Sequence, residues 1–514
     1  MATESEDVSR RALLKQAAGG AGIVAGTILA GPESCRASAA VETVAAKDAW
    51  FAERAFCVSG NRLLGDAIGG AVATTRARAV YRPRSAEEIA ATVRSAPPGS
   101  PIGCVCGGHE SSNAALIASD DAIVLDLAHF KGIDFHQEDG RPLVTVGAGV
   151  VFRELVEAVK GRHGALPVGT GPGVGVVGYV VNGGLSGYFT RRLGLLGQRV
   201  VKLTMVTAAG DVRVLTPADE LFTAMLGAGS ALGIVVDVTL ELDAESILRS
   251  AEQRVVAFET RAQAVAFARE AMRLQRERVL PDDAVSMEIV VTGTKAVVVT
   301  LVFYDTFTGD PAAFVGPLEA LAARLKLPVV MAAQWSSWYE AAAALWPVIA
   351  QMKGSPLAML QHSMGTEGPP SDAVLDRIAD TVVAEAPLDE APFSIVEIRT
   401  LGGAALAKGR LPTGNCRHRF FVDLITMYDA KDTSRDQRRA IAARTAGVIE
   451  RARRQDGLTV DFSGTHSQPD DPGVPAAPAV IFGSAAMAAT VGRLKRQVDP
   501  ANRFRFHPYA KFLG

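Results

Sequence analysis

Eight of the chain's 50 glycines fall within positions 169–188. Each costs roughly 0.5–1 kcal/mol relative to alanine in a helix or strand interior, because glycine loses the most backbone freedom on folding. Such a run belongs where backbone must turn sharply or approach another body closely. It reads Gly169-Thr170-Gly171-Pro172-Gly173-Val174-Gly175-Val176-Val177-Gly178 and continues to Asn182-Gly183-Gly184-Leu185-Ser186-Gly187. Two further glycine-rich segments flank it, Cys106-Gly107-Gly108-His109-Glu110-Ser111-Ser112-Asn113 and Leu226-Gly227-Ala228-Gly229-Ser230-Ala231-Leu232-Gly233-Ile234-Val235. Consecutive glycines let N–H groups converge on an anion, and Ser and Asn side chains add donors. No G-x-G-x-x-G heads a βαβ unit convincingly, so a Rossmann dinucleotide site is a poor reading.

The 514 residues suggest two domains or one with a large insertion, and 48% hydrophobic content is ample for a core. Lys+Arg (53) and Asp+Glu (55) nearly cancel without a long basic run, which argues against a nucleic-acid partner. Ser9-Arg10-Arg11-Ala12-Leu13-Leu14-Lys15, an apolar stretch over 17–30 and Ala37-Ser38-Ala39 read as a twin-arginine signal with its cleavage site. Export to the periplasm or the medium is therefore expected, with residues 1–39 removed. No later segment has about 18 apolar residues in a row, so no membrane association is expected of the mature form. Of Cys35, Cys57, Cys104, Cys106 and Cys416, the pair 104 and 106 is too closely spaced for C-x-x-C chemistry. We read those two as small buried residues, and expect neither a disulfide framework nor a metal site.

Residues 48–244 read as alternating strands and helices, with strands at 79–83, 102–106, 122–127 and 142–147 and a hairpin over 200–215. Ser85 is placed to cap a helix whose first turn holds Glu87 and Glu88. From 245 to 476 the texture changes to strands near 287–291, 296–303, 393–399 and 418–428, with helices near 260–278, 310–326, 371–386 and 432–455. That pattern predicts an antiparallel sheet covered by helices on one side. Residues 477–514 read as a helix running into Asp499-Pro500-Ala501-Asn502-Arg503-Phe504.

A strand-ending Gly-Gly-His, a glycine run some sixty residues later, and a third glycine segment near 230 together resemble the vanillyl-alcohol-oxidase (PCMH-type FAD-binding) superfamily. Its berberine-bridge-enzyme-like branch fits best, and the resemblance covers nearly all the chain beyond the signal. Val146-Gly147-Ala148-Gly149, Lys495 and Asp499-Pro500-x-Asn502-x-Phe504 add to it. It implies an α+β fold: a PCMH-type FAD-binding domain, an antiparallel-sheet substrate domain covered by helices, and a C-terminal segment returning to the first domain. It also implies that Gly107, Gly108, Glu110, Ser111 and Asn113 form the pyrophosphate loop. His109 matches the histidine joined to the flavin 8α-methyl group. Pro172, Val174, Gly175 and Gly178 would pack on the flavin ring and ribityl chain, followed by Asn182, Gly183 and Gly184. Gly229, Gly233, Ile234 and Val235 match a strand at the adenine end, and Asn502 an asparagine near the flavin.

The departures from the family pattern matter equally. Gly171 stands where doubly linked relatives carry cysteine, which leaves one covalent link at most. Val105 replaces an arginine often found four residues before the histidine, and no tyrosine occurs in 475–480. His418-Arg419 resembles the opening of a family strand whose catalytic glutamate position is here Ile425. Asp423, two residues earlier, shares that face. It is either a general base on an otherwise apolar face or merely a surface carboxylate. Tyr428 and Glu397 are further candidates for the base. Trp335, Trp338, Tyr339 and Trp346 read as core packing before substrate stacking.

The expected function is FAD-dependent oxidation: hydride transfer from an alcohol, sugar or secondary-metabolite substrate, with molecular oxygen as acceptor. Two other classes fit the residues, a flavin-containing cyclase with structural FAD and an exported binding protein without redox activity.

Overall fold

A computed structural model describes residues 41–56, 74–109, 114–162, 164–276, 281, 284–353, 355, 357–409, 411–413, 418–453, 458–461, 478–506, 510 and 513. The twin-arginine motif, Ala37-Ser38-Ala39, Cys35, Cys57, Glu110, Ser111, Asn113 and Cys416 lie outside them, as does 475–477. Residues 41–514 form one compact unit.

The first part of this unit contains two sheets. In one, Ala79–Arg82, Ile123–Asp126 and Ile102–Val105 run parallel, with the short strand Glu42–Thr43 antiparallel at the edge. A parallel connection requires a crossover. The helix Ala86–Ser95 provides it, with the Ser85 hydroxyl accepting from Glu88 N at 3.2 Å and Ile89 and Val93 buried. The other sheet is antiparallel, in the order Ile133–Glu138, Arg141–Gly147, Ile234–Glu241, Val200–Val206, Val212–Leu215.

The second part is an eight-stranded antiparallel sheet. Its order is Val329–Trp335, Leu248–Ala257, Ala296–Tyr304, Val285–Thr292, Ile395–Thr400, Phe420–Asp429, Leu357–Thr366, Thr459–Asp461. Helices Arg261–Gln275, Asp372–Arg377 and Arg435–Arg453 cover one face. Thr426 bonds Thr445 of the last helix at 3.0 Å, and Gln275 donates to Met287 O at 2.6 Å. The expected helix near 371–386 is present over 372–385, and widens into a π-helical turn at Ile378–Val383.

Helix Ala485–Val498 and the turn after it return to the first part. Lys495 Nζ donates to Asp499 Oδ2 and Ala231 O, each at 2.7 Å, and to Phe504 O at 3.1 Å. Arg503 spreads over the carbonyls of Val93, Ser100 and Ala208. Among the described residues, no helix is long and apolar enough to cross a membrane. Cys104 and Cys106 are both half-buried rather than buried as expected.

Candidate active site

The first glycine loop is held from below by a helix that the sequence reading did not anticipate, Lys47–Arg54. The Arg54 guanidinium donates to Cys106 O and pairs with Asp126 at 3.2 Å. Asp126 is fully buried, and also accepts from Trp50 Nε1 at 2.8 Å and Arg82 Nε at 3.0 Å. Gly108 adopts φ +69° with the carbonyl of Arg54 lying where a Cβ would be, and Phe56 N donates to Gly108 O at 3.0 Å. Only glycine tolerates both that angle and that approach. The Phe56 ring stacks on the His109 imidazole, centroids 3.6 Å apart and planes 21° from parallel.

The second loop closes on the first. A Cβ on Gly107 would lie 2.6 Å from Gly173 O, and one on Gly175 would lie 2.8 Å from Cys106 Cβ. Gly175 opens the short helix Val176–Val180, and Gly178 stands over Cys106. The Pro172 and Val174 carbonyls accept from Arg153 N and Phe152 N, each at 3.0 Å, which anchors the loop to helix Phe152–Val159. Asn182 Nδ2 donates to Gly178 O at 2.8 Å, and Gly183 and Gly184 follow at φ +93° and +79°. The His109 edge faces this loop: a Cβ on Gly171 would sit 3.3 Å from Nε2.

One expectation about these loops needs correction. Gly229 is not on a strand: it lies in helix Glu220–Leu232, where a Cβ would meet Val181 Cβ at 2.7 Å. Gly233 follows with extended backbone against Met205, and Ile234 and Val235 pair with Val206 and Met205 as buried core. Asn502 stands at φ +47° in the C-terminal turn, beside Arg503, whose carbonyl accepts from Ile102 N. That is the opposite end of the strand Ile102–Val105 from Gly107. Asn502 Oδ1 is buried with no hydrogen-bond partner among the described residues.

The uncovered face of the eight-stranded sheet packs against the end of the second loop. Ser286 Oγ donates to Tyr188 O at 3.0 Å, and a Cβ on Gly187 would meet Glu288 and Arg399. This face is polar, contrary to the expectation of an apolar surround for Asp423. Cross-strand register sets Gln253 opposite Thr300, Thr300 opposite Glu288, Glu288 opposite Arg399, and Glu397 opposite Asp423, which faces Ser363. Arg399 is the hub: Nε lies 2.9 Å from Glu288 and Nη1 3.5 Å from Asp423, and Nη2 pairs with Glu397. Ser363 Oγ donates to Asp423 Oδ1. Asp423 is therefore buried, not a surface carboxylate. Tyr428 lies on the other face, among Ala358, Leu360, Ile441 and Ala442, and is corrected to a packing residue. Trp338 is core, its Nε1 bonded to Leu166 O at 2.9 Å.

Three carboxyl groups around one permanently charged guanidinium cannot all ionise cheaply. Burial pushes the Asp423 carboxyl up to about 7; Arg399 opposes this, and Glu397 adds to it. Glu288 is held well above the usual carboxylate range, by burial first and then by Glu397 beside it. Burial on this face thus favours the protonated carboxyl form of Asp423 and Glu288. Glu288, Arg399 and Ser363 were missed in the sequence. A lone Glu in the apolar run Val285–Thr292 was the available signal for the first.

These residues fit a flavin dinucleotide. Two loops meet with no side chain between them, an imidazole points at their junction, and a proton-holding sheet face lies beyond. The fold is similar to that of PCMH-type FAD-binding oxidases, and the loops fit an FAD dinucleotide. Residues 77–216 match the FAD binding domain family. The chain is 34% identical over 166 residues to (R)-6-hydroxynicotine oxidase of Paenarthrobacter nicotinovorans, covering 32% of this chain and 35% of that protein. It is 33% identical over 140 residues to berberine bridge enzyme-like 12 of Arabidopsis thaliana, covering 26% of each. These matches span about a third or less of the relatives' length. Glucooligosaccharide oxidase from Acremonium strictum shares the fold at a TM-score of 0.71 and 17% identity, over 90% of this chain and 95% of that one.

Proposed function

We propose that the protein is an FAD-linked oxidase acting on a small alcohol, sugar or secondary-metabolite substrate, with dioxygen as the final acceptor. Bound FAD supplies the hydride acceptor, chemistry that no side chain can provide. The observation that carries this reading is the juxtaposition of the FAD-domain loops with a buried carboxyl group poised near neutrality. In this reading Asp423 takes the proton from the substrate hydroxyl or amine. Arg399 holds Asp423 and Glu397 in place, and Ser363 fixes the orientation of the Asp423 carboxylate. Anaerobic bleaching of the flavin bands by substrate tests the proposal. A bound flavin that no alcohol, sugar or amine substrate reduces would point instead to a structural role.

His109 is the attachment point in this proposal. Glucooligosaccharide oxidase carries a 6-S-cysteinyl, 8α-N1-histidyl FAD. Here the His109 ring edge faces Gly171, which has no thiol to offer. The yellow colour should stay with the acid-precipitated wild-type polypeptide and pass wholly into the supernatant for His109→Ala. Flavin that remains attached to His109→Ala would place the link elsewhere.

Export through the twin-arginine route is part of the same proposal, supported by Ser9–Lys15 and Ala37-Ser38-Ala39. Replacement of Arg10-Arg11 by Lys-Lys is expected to retain the protein in the cell, read by fractionation. N-terminal sequencing of exported protein should begin near Ala40.

A further inference from the structure

We infer that Phe56, two residues past the end of the helix Lys47–Arg54, is a positioning residue for flavin attachment that orients the His109 ring toward the second loop. This rests on the covalent reading of His109. Three contacts tie the N-terminal segment to the first loop independently of any cofactor. Arg54 donates to Cys106 O, Phe56 N donates to Gly108 O at 3.0 Å, and the Arg54 carbonyl fills the place of a Gly108 Cβ. Asp126 fixes Arg54 from beneath at 3.2 Å. Phe56 is itself buried, and packs with Leu357, Ile349, Met352 and Met359 of the second part. Its ring has little freedom, and the imidazole stacked on it at 3.6 Å inherits that restriction. A nucleophile held near its attack geometry gains much of the advantage of an intramolecular reaction, and a misplacement of about 1 Å can remove about 10²-fold of it.

In attachment, a bond forms between a ring nitrogen of His109 and the 8α-carbon of FAD. One C–H and one N–H bond break. The two hydrogens and two electrons pass by way of the flavin to dioxygen, giving hydrogen peroxide.

The test uses full-length protein from riboflavin-starved cells, incubated aerobically with excess FAD and acid-quenched over time. Phe56→Leu keeps an apolar side chain but removes the stack; Phe56→Tyr keeps the ring. Phe56→Leu is expected to attach flavin at least about tenfold more slowly, with total FAD bound before the quench unchanged. Phe56→Tyr should attach it at close to the wild-type rate. Equal attachment rates in Phe56→Leu and wild type would overturn the inference while leaving the covalent reading intact. So would a Phe56→Leu deficit that disappears when rates are normalised to bound FAD. Wild-type protein that never retains flavin after acid overturns both.

Discussion

Asp423→Asn is expected to slow anaerobic flavin reduction by the true substrate about 10²–10⁴-fold, the usual loss when a general base is removed. The comparison is made at matched flavin content. The substitution keeps the shape and a partner for Ser363, and removes the proton acceptor. Glu288→Gln is the internal control. Burial and the neighbouring Glu397 hold Glu288 well above the usual carboxylate range, and an amide imitates the protonated form that this favours. Its effect should stay within a few-fold. The wild-type rate should rise with pH through about 7, as the Asp423 carboxyl loses its proton, and Asp423→Asn should lose that rise. The stability linkage has the opposite sign. Because the folded-state value is raised, the folded protein holds a proton that the unfolded chain releases. This contribution to stability is fully present below the ordinary value of 3.8 and is lost as pH climbs through about 7. A flat pH profile with an Asp423→Asn rate within a few-fold of wild type would move the base to Glu397.

Lys495→Met should lower the free energy of unfolding by about 3–5 kcal/mol, because it strands a buried carboxylate. The Lys495 side chain is 2% exposed and that of Asp499 fully buried. Removing the ammonium also leaves the carbonyls of Ala231 and Phe504 without their donor. Asp499 would keep only the N–H groups of Arg503 and Phe504, each at 2.8 Å. Arg493, on the same helix as Lys495, pairs with Glu220 of helix Glu220–Leu232; the two side chains are 43% and 58% exposed, so Arg493→Met should change stability by about 0–1 kcal/mol. Urea unfolding of the two variants separates the cases. If they lose equal stability, the C-terminal tie is not the anchor that its burial indicates.

The amino-acid sequence alone determined the local elements and the loops. Ser85 capping, the apolar face of Ala86–Ser95 and the hairpin between Val200–Val206 and Val212–Leu215 follow from short-range rules of capping and alternation. The glycine runs at 107–108 and 169–187 announce themselves because backbone approach demands glycine whatever lies opposite. At Gly229 the approaching body is Val181, and the glycine lies in a helix rather than on the expected strand. What only the tertiary structure decided is the face on which Asp423 finds its partners. Period-two alternation groups Phe421, Asp423, Ile425 and Met427, but says nothing of the neighbouring strands. The register that sets Glu397, Ser363 and Arg399 around Asp423 joins strands from residues 357 to 429, and the Glu288 strand completes it. Phe56 on His109 is likewise a contact across 53 positions, and no periodicity encodes it. Proton affinity and ring orientation arise from such long-range juxtapositions, since burial and neighbouring charge are properties of the folded chain.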